Sequence, residues 1–292
     1  MAAKNLTTVL KSSKKEVQIC RDKGVTIIGE RINPSGRKGL ETELAAGKFD
    51  ILRRDAKAQL AAGAAILDVN AGVPGADEPS LLVQMIKEVR ATTDESIICI
   101  DSANIKALDA ALSFYCKNAE KPLVNSVNAQ SSSLKELLPL IKQYEVAVVG
   151  LCSGDNGIPN SAEGRVRNAE KIIEEGEKLG ISREDIIIDP IVLTLGAEWD
   201  AAKMVLDAIA IIVDKFGVNI TMGASNVSFG LPDRESLTSY FLAMSVLAGL
   251  SCPICNPLKK QDMIALKAAD LIMARDPYAM KWIEDFRARQ GG

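Results

Sequence analysis

Eight times along this chain a short apolar run gives way to a longer segment of helical period, and few architectures accept such a pattern. The runs are "VTIIGE" (25–30), "AAILDVN" (64–70), "SIICID" (96–101), "PLVNS" (122–126), "VAVVGLCS" (146–153), "DIIIDP" (185–190), "NITMGASN" (219–226) and "LSCPICN" (250–256). None alternates cleanly between apolar and polar residues, so both faces of each strand are expected to be covered. Segments such as "ILRRDAKAQLAAG", "AEGRVRNAEKIIEEGEKLG" and "AAKMVLDAIAIIVDKFG" lie between them, with apolar residues recurring at three and four. Strand alternating with helix implies a parallel sheet, and eight units of about 36 residues predict α/β architecture in a single (β/α)8 TIM barrel. An open doubly wound sheet is the alternative. It lacks the support of a GxGxxG or GxxxxGK[ST] motif after any strand. Residues 1–24 are expected to form a short N-terminal helical extension, with the basic run Lys11 to Lys15 as a solvated helix face, and 25–292 the barrel domain.

Composition narrows the chemistry. A formal net charge of -3 argues against nucleic acid, which needs clustered Lys and Arg. No apolar run reaches the length of a membrane span and no signal-peptide pattern opens the chain, so a cytoplasmic protein is expected. The 6 cysteines have no disulfide framework, and the lone pair Cys252/Cys255 reads as core thiols rather than a zinc or redox motif. With 0 histidines, triads, Cys–His pairs and two-His metal sites are all excluded. Chemistry must run on carboxylates, amides, hydroxyls, lysines, thiols or a cofactor.

In barrels of this kind the working residues sit at the carboxyl ends of the strands. Here those ends carry Glu30, Asp68 and Asn70, Asp101 and Ser102, Asn125 and Asn128, Asp155, Asp189, Ser225 and Asn226, and Asn256. Any one of these residues could serve only as a helix cap or turn former, as Ser102 and Asn128 are placed to do. As a set they make a mouth rich in Asp and Asn and poor in basic groups. Such a mouth suits a planar, nitrogen-rich heterocycle, because a carboxylate accepts two parallel N–H bonds and an amide reads a donor and an acceptor together.

The motifs "GERINPSG", "LDVNAG", "IDSANIKAL", "NSVNAQ", "IDPIVLTLG" and "GASNVSFGLPDR", spanning about residues 25 to 275, resemble the pterin-binding methyltransferases. Most similar are the methyltetrahydrofolate:corrinoid protein methyltransferases and the folate module of cobalamin-dependent methionine synthase, with dihydropteroate synthase more distant. The resemblance implies a (β/α)8 barrel in which Asp101, Asn125 and Asp189 grip the pterin ring. It makes Asn226 the catalytic amide at the methyl-bearing N-5, with Asp101 ordering a water beside it. Arg234 matches an arginine near the aminobenzoyl side, and Asp68, Asn70 and Ser225 line the same mouth. Asp189 is expected to be buried, ionised and paired with ring N–H donors.

The resemblance also implies tetrahydrofolate or methyltetrahydrofolate as substrate, cobalamin carried by a separate corrinoid protein, no metal ligand in this chain, and a homodimer. The dimer contacts are expected on "MVLDAIAIIV" and "YFLAMSVLAG". Phe229 departs from the polar residue found there in some relatives. A pterin-condensing enzyme of the dihydropteroate synthase type and a non-catalytic folate-binding protein are the alternatives.

Overall fold

A computed structural model describes residues 3–290. Strands β3 (Ile28–Ile32), β4 (Ile66–Asn70), β5 (Ile97–Asp101), β6 (Leu123–Asn128), β7 (Ala147–Leu151), β8 (Ile186–Asp189) and β9 (Ile254–Cys255) form one parallel sheet of 7 strands in the order β8-β7-β6-β5-β4-β3-β9. The predicted strand at 219–226 is too irregular to join as a full strand, yet its first part, residues 219–223, closes the ring. Thr221 donates its N–H to Ile188 at 2.9 Å on one side, and Ile254 donates to Met222 at 3.0 Å on the other. The result is the predicted barrel.

The wall is covered by helices α2 (Asp50–Ala61), α3 (Glu78–Thr92), α4 (Ile105–Tyr115), α5 (Ser131–Tyr144), α6 (Ala162–Lys178), α7 (Ala201–Phe216), α8 (Arg234–Ala248) and α9 (Lys260–Ile272). The repeat pattern did not mark α1 (Lys38–Ala45) or α10 (Met280–Gln290). Among the described residues no helix is long and apolar enough to cross a membrane.

Residues split by parity along the strands, except beyond the register irregularities in the upper parts of β3 and β6. Leu67, Val69, Ile98, Ile100, Val124, Val148 and Ile188 face outward into the shell packed by the helices. Ile66, Ile97, Cys99, Leu123, Ala147, Val149 and Ile187 face inward and fill the barrel's lower half. Both faces are therefore apolar low in the strand, as the absence of alternation implied. Only the last inward positions turn polar, and those are the site.

The N-terminal segment has no α-helix among its described residues, only a 3-10 turn at Arg21–Lys23. It is a hairpin of β1 (Thr8–Lys11) and β2 (Glu16–Ile19), turned at Ser12–Lys15. The basic run is therefore the end of a strand at Lys11 followed by the turn, with the Ser12 hydroxyl accepting the Lys15 N–H at 3.0 Å. Tertiary contact explains the difference: Leu10 and Ile19 join the inward cluster and plug the barrel floor. Asn219 Nδ2 ties the plug down, donating to Thr8 Oγ1 at 3.0 Å and to Ile19 O at 2.9 Å. Gly217, ending α7 with φ of 72°, lets the segment pass, since a Cβ there would lie 2.2 Å from the Lys4 carbonyl oxygen. Leu10 is 0% exposed, and Leu10→Ala is expected to cost about 2–4 kcal/mol in urea unfolding. A change within the surface range of about 0.5 kcal/mol would show that the hairpin does not stabilise the barrel.

Candidate active site

Four of the expected residues meet directly. Asn70, Asp101 and Asn125 are register partners across β4, β5 and β6, so their side chains form one inward row. Asp68 lies one inward step below Asn70. Asn70 Nδ2 donates to Asp101 Oδ2 at 3.0 Å, and its own Oδ1 accepts the Gly72 N–H at 2.8 Å, which fixes the amide's orientation. Asn125 Nδ2 leans on Asp68 Oδ1 at 3.4 Å. Burial pushes the carboxyls of Asp68 and Asp101 well above the usual range, and the charge of Asp101 makes Asp68 harder still to ionise. Asp68 is thus the harder of the two to ionise, while the Asn70 amide donor favours the ionised form of Asp101.

Asp189 stands at the end of β8, beyond β7, and is 7% exposed. Its Oδ1 accepts the Ile191 N–H at 2.7 Å, so it does close a turn, while Oδ2 accepts nothing from the described residues. One oxygen is spent on the backbone and the other is available to a ligand. Desolvation raises its pKa to about 7, against the partial relief of the Ile191 N–H and Arg165. Burial therefore makes Asp189 hard to ionise in the free protein, and ring N–H donors would help to hold the charge.

Ser225 and Asn226 lie in a single 3-10 turn, Ala224–Ser228, directly after the closing segment. The Asn226 amide is exposed and makes no hydrogen bond to the described residues. Gly223 leaves it room, since a Cβ there would approach Asn226 Nδ2 to 3.2 Å. Arg234, the first residue of α8, spends part of its guanidinium on that turn. Its Nη2 donates to Ser225 O at 3.0 Å and its Nε to Ser228 Oγ at 3.3 Å, and the group lies over the exposed Phe229 ring at 5.4 Å.

A plain capping or turn-forming role holds for several residues at or just after strand ends. Asn104 accepts the Lys106 and Ala107 N–H groups at the start of α4, Asn128 accepts from Gln130, and Asn256 accepts from Leu258. Cys252 faces the barrel interior and Cys255 the outer shell, so the two thiols do not converge. Two residues had not been assigned a role. Glu30, midway along β3, is lifted above the usual range by burial, and its place in "GERIN" was its only sequence signal. Arg165 on α6 supports the Asp189 turn from behind, and an arginine on a buried helix face gives no such signal.

Against known proteins, the family model described as pterin binding enzyme matches residues 29–256. The chain is 32% identical over 270 residues to a methylcorrinoid:tetrahydrofolate methyltransferase of Eubacterium limosum, covering 89% of this chain and 96% of that protein. It is 27% identical to methionine synthase of Mycobacterium tuberculosis, covering 83% of this chain but only 21% of that much longer protein. Among solved structures, 7,8-dihydropteroate synthase from Vibrio fischeri superposes with a TM-score of 0.67 at 16% identity, covering 92% of this chain, a likeness of fold alone.

Proposed function

The chain belongs to the family of pterin-binding enzymes, and from that premise we propose that it moves a methyl group between N-5 of tetrahydrofolate and the cobalt of a separate corrinoid protein. The observation that carries this reading is the pairing of an inward Asp/Asn row, with Asp189 two strands further round the barrel, and an Asn226 amide that no described residue engages. The donor set suits a pterin. Asp189 Oδ2 and Asp101 can accept the ring's N–H and NH₂ groups, and Asn125 can read a neighbouring donor and acceptor.

In the methyl-donating direction, the carbon–nitrogen bond at N-5 breaks, a carbon–cobalt bond forms with the cobalt(I) electron pair, and N-5 gains a proton. A neutral tertiary amine is a poor leaving group, so positive charge must build on N-5. The Asn226 amide bonds that nitrogen most strongly once the charge develops, which lowers the barrier without donating the proton. The proton comes from water ordered near Asp101. The barrel contributes orientation, and the corrinoid supplies the nucleophile. In the reverse direction the same groups serve.

Transfer of label from [methyl-¹⁴C]methyltetrahydrofolate to cobalt(I) cobalamin, and to candidate corrinoid proteins, tests the reading. Transfer to neither, with pterin binding intact, would reduce the protein to a folate binder. Calorimetry after exhaustive chelation is expected to give micromolar methyltetrahydrofolate binding, and binding restored only by zinc would contradict a site without metal.

A homodimer belongs to the same reading. The expected α7 stretch is mostly consumed by the monomer core, whereas Tyr240, Met244 and Leu247 of α8 and Ile272 of α9 line an exposed groove of about 500 Å³. Light scattering is expected to give twice the 31.3 kDa chain mass, and a monomer at micromolar concentration would remove the dimer from the proposal.

A further inference from the structure

Immediately after the carboxylate that ends β8, the backbone takes a conformation that its side chain disfavours. Ile191 has φ of 64°, in the left-handed region where a β-branched residue crowds its own backbone. The turn is clamped from two sides. Asp189 takes the Ile191 N–H at 2.7 Å. From behind, Arg165 Nη1 donates to Pro190 O at 2.9 Å and also to Ile191 O, while its Nε donates to Pro159 O at 3.2 Å.

Arg165 is 0% exposed, and its only hydrogen-bond partners among the described residues are carbonyl oxygens. Its Nη2 has no hydrogen-bond partner among the described residues. A buried guanidinium without a contacting carboxylate is expensive in desolvation, and a residue needed only for packing would be better apolar. The groups around Asp189 narrow what the charge is for. Cys152 after β7 and Cys252 across the barrel are thiols that burial keeps neutral, the closing segment presents only uncharged Asn219 and Thr221, and Glu198 acts on Arg165 rather than on Asp189. Arg165 is the cation that faces the Asp189 turn.

We propose that Arg165 is the positioning residue of the pterin-gripping carboxylate, a role that rests on the function proposed for Asp189. It locks the left-handed turn that aims Asp189 into the mouth, and its charge, delivered through that turn, makes ionised Asp189 attainable. It touches no substrate atom.

The first readout needs no pterin. Carboxyl-labelled aspartate is followed by ¹³C NMR against pH in the free protein, and the Asp189 resonance is identified by its loss in Asp189→Asn. Arg165→Met is expected to move that midpoint upward by about one unit or more, and Arg165→Lys, which keeps the charge, by less than half as much. The second readout is methyltetrahydrofolate affinity at pH 8. Arg165→Met is expected to weaken it by about tenfold or more. Adding Ile191→Gly should recover about threefold, because glycine adopts the turn without steric cost.

Should Arg165→Met fail to fold, Arg165→Lys carries the test through a several-fold loss of affinity that Ile191→Gly again restores. A folded Arg165→Met with the wild-type Asp189 midpoint overturns the proposal. So does an Arg165→Lys protein with wild-type affinity that Ile191→Gly does not alter. If instead Asp189→Asn leaves pterin affinity untouched, the function proposed for Asp189 falls, and the midpoint still judges Arg165.

Discussion

Asn226→Ala is expected to lower kcat for methyl transfer by about 10²-fold or more while weakening pterin affinity by less than about tenfold. The amide is exposed and unengaged by the described residues, so its loss should leave the fold and the Asp/Asn row intact. In the ground state it meets a weakly basic amine, and the bond is an ordinary neutral one. In the transition state it meets a nitrogen that is becoming cationic, and one preplaced partner for developing charge is worth roughly 10²–10³-fold in rate. That difference acts on the chemical step and not on binding. To bond a protonated nitrogen the amide must present its carbonyl oxygen, whereas the neutral lone pair takes the NH₂, so Asn226→Asp, which offers oxygen only, probes a flip during turnover. Rapid-quench single turnovers at saturating pterin decide the matter. A wild-type rate there, with affinity and kcat/KM lost in equal measure, would make Asn226 a binding group only.

Asp189→Asn should act in opposite directions on ligand and fold. Above pH 7 it is expected to weaken pterin binding by about 2–4 kcal/mol, because one charge-assisted acceptor becomes a mismatched amide. The wild-type carboxyl has a pKa raised to about 7 by burial, so its own affinity should fall as pH drops through that value, and the gap between the two proteins should narrow. Stability has the reverse sign. A carboxyl whose folded pKa lies above its unfolded value of 3.8 contributes stability that is complete below 3.8 and is lost as pH rises through about 7. Removing the titration should therefore make the ligand-free Asp189→Asn protein more heat-resistant than wild type at pH 8, while its Oδ1 still accepts the Ile191 N–H. Equal pterin affinity in the two proteins at pH 8 would leave Asp189 as a turn residue alone.

Much of this was legible along the chain, and for a definite reason. A strand buried on both faces needs apolar residues at every position, so an acid or amide near its end stands out without any knowledge of the partner strands. Asp68, Asn70, Asp101, Asn125 and Asp189 all announce themselves in this way, and the eightfold repeat predicts the barrel that gathers them. The hairpin was not legible as such. Val9, Leu10, Val17 and Ile19 are too few to choose a period by themselves, and only the open floor of the barrel gives Leu10 and Ile19 something to bury against.

The finer division of labour at the mouth is likewise tertiary. Strand parity points Asn70, Asp101 and Asn125 inward together, but the register that sets them side by side exists only once β4, β5 and β6 are paired. Arg234 could be matched by motif, yet its bonds to Ser225 and Ser228 require the turn after the closing segment to lie against the first turn of α8. Arg165 is 24 residues before Asp189, and nothing local distinguishes it from the other basic residues of its helix. The sequence by itself determined which side chains are polar at the ends of apolar strands, because that is a property of composition along one chain. Only the closed barrel decided which of them burial makes hard to ionise, which bond the backbone and which stay free, because desolvation and hydrogen bonding depend on neighbours that the chain brings together from far apart.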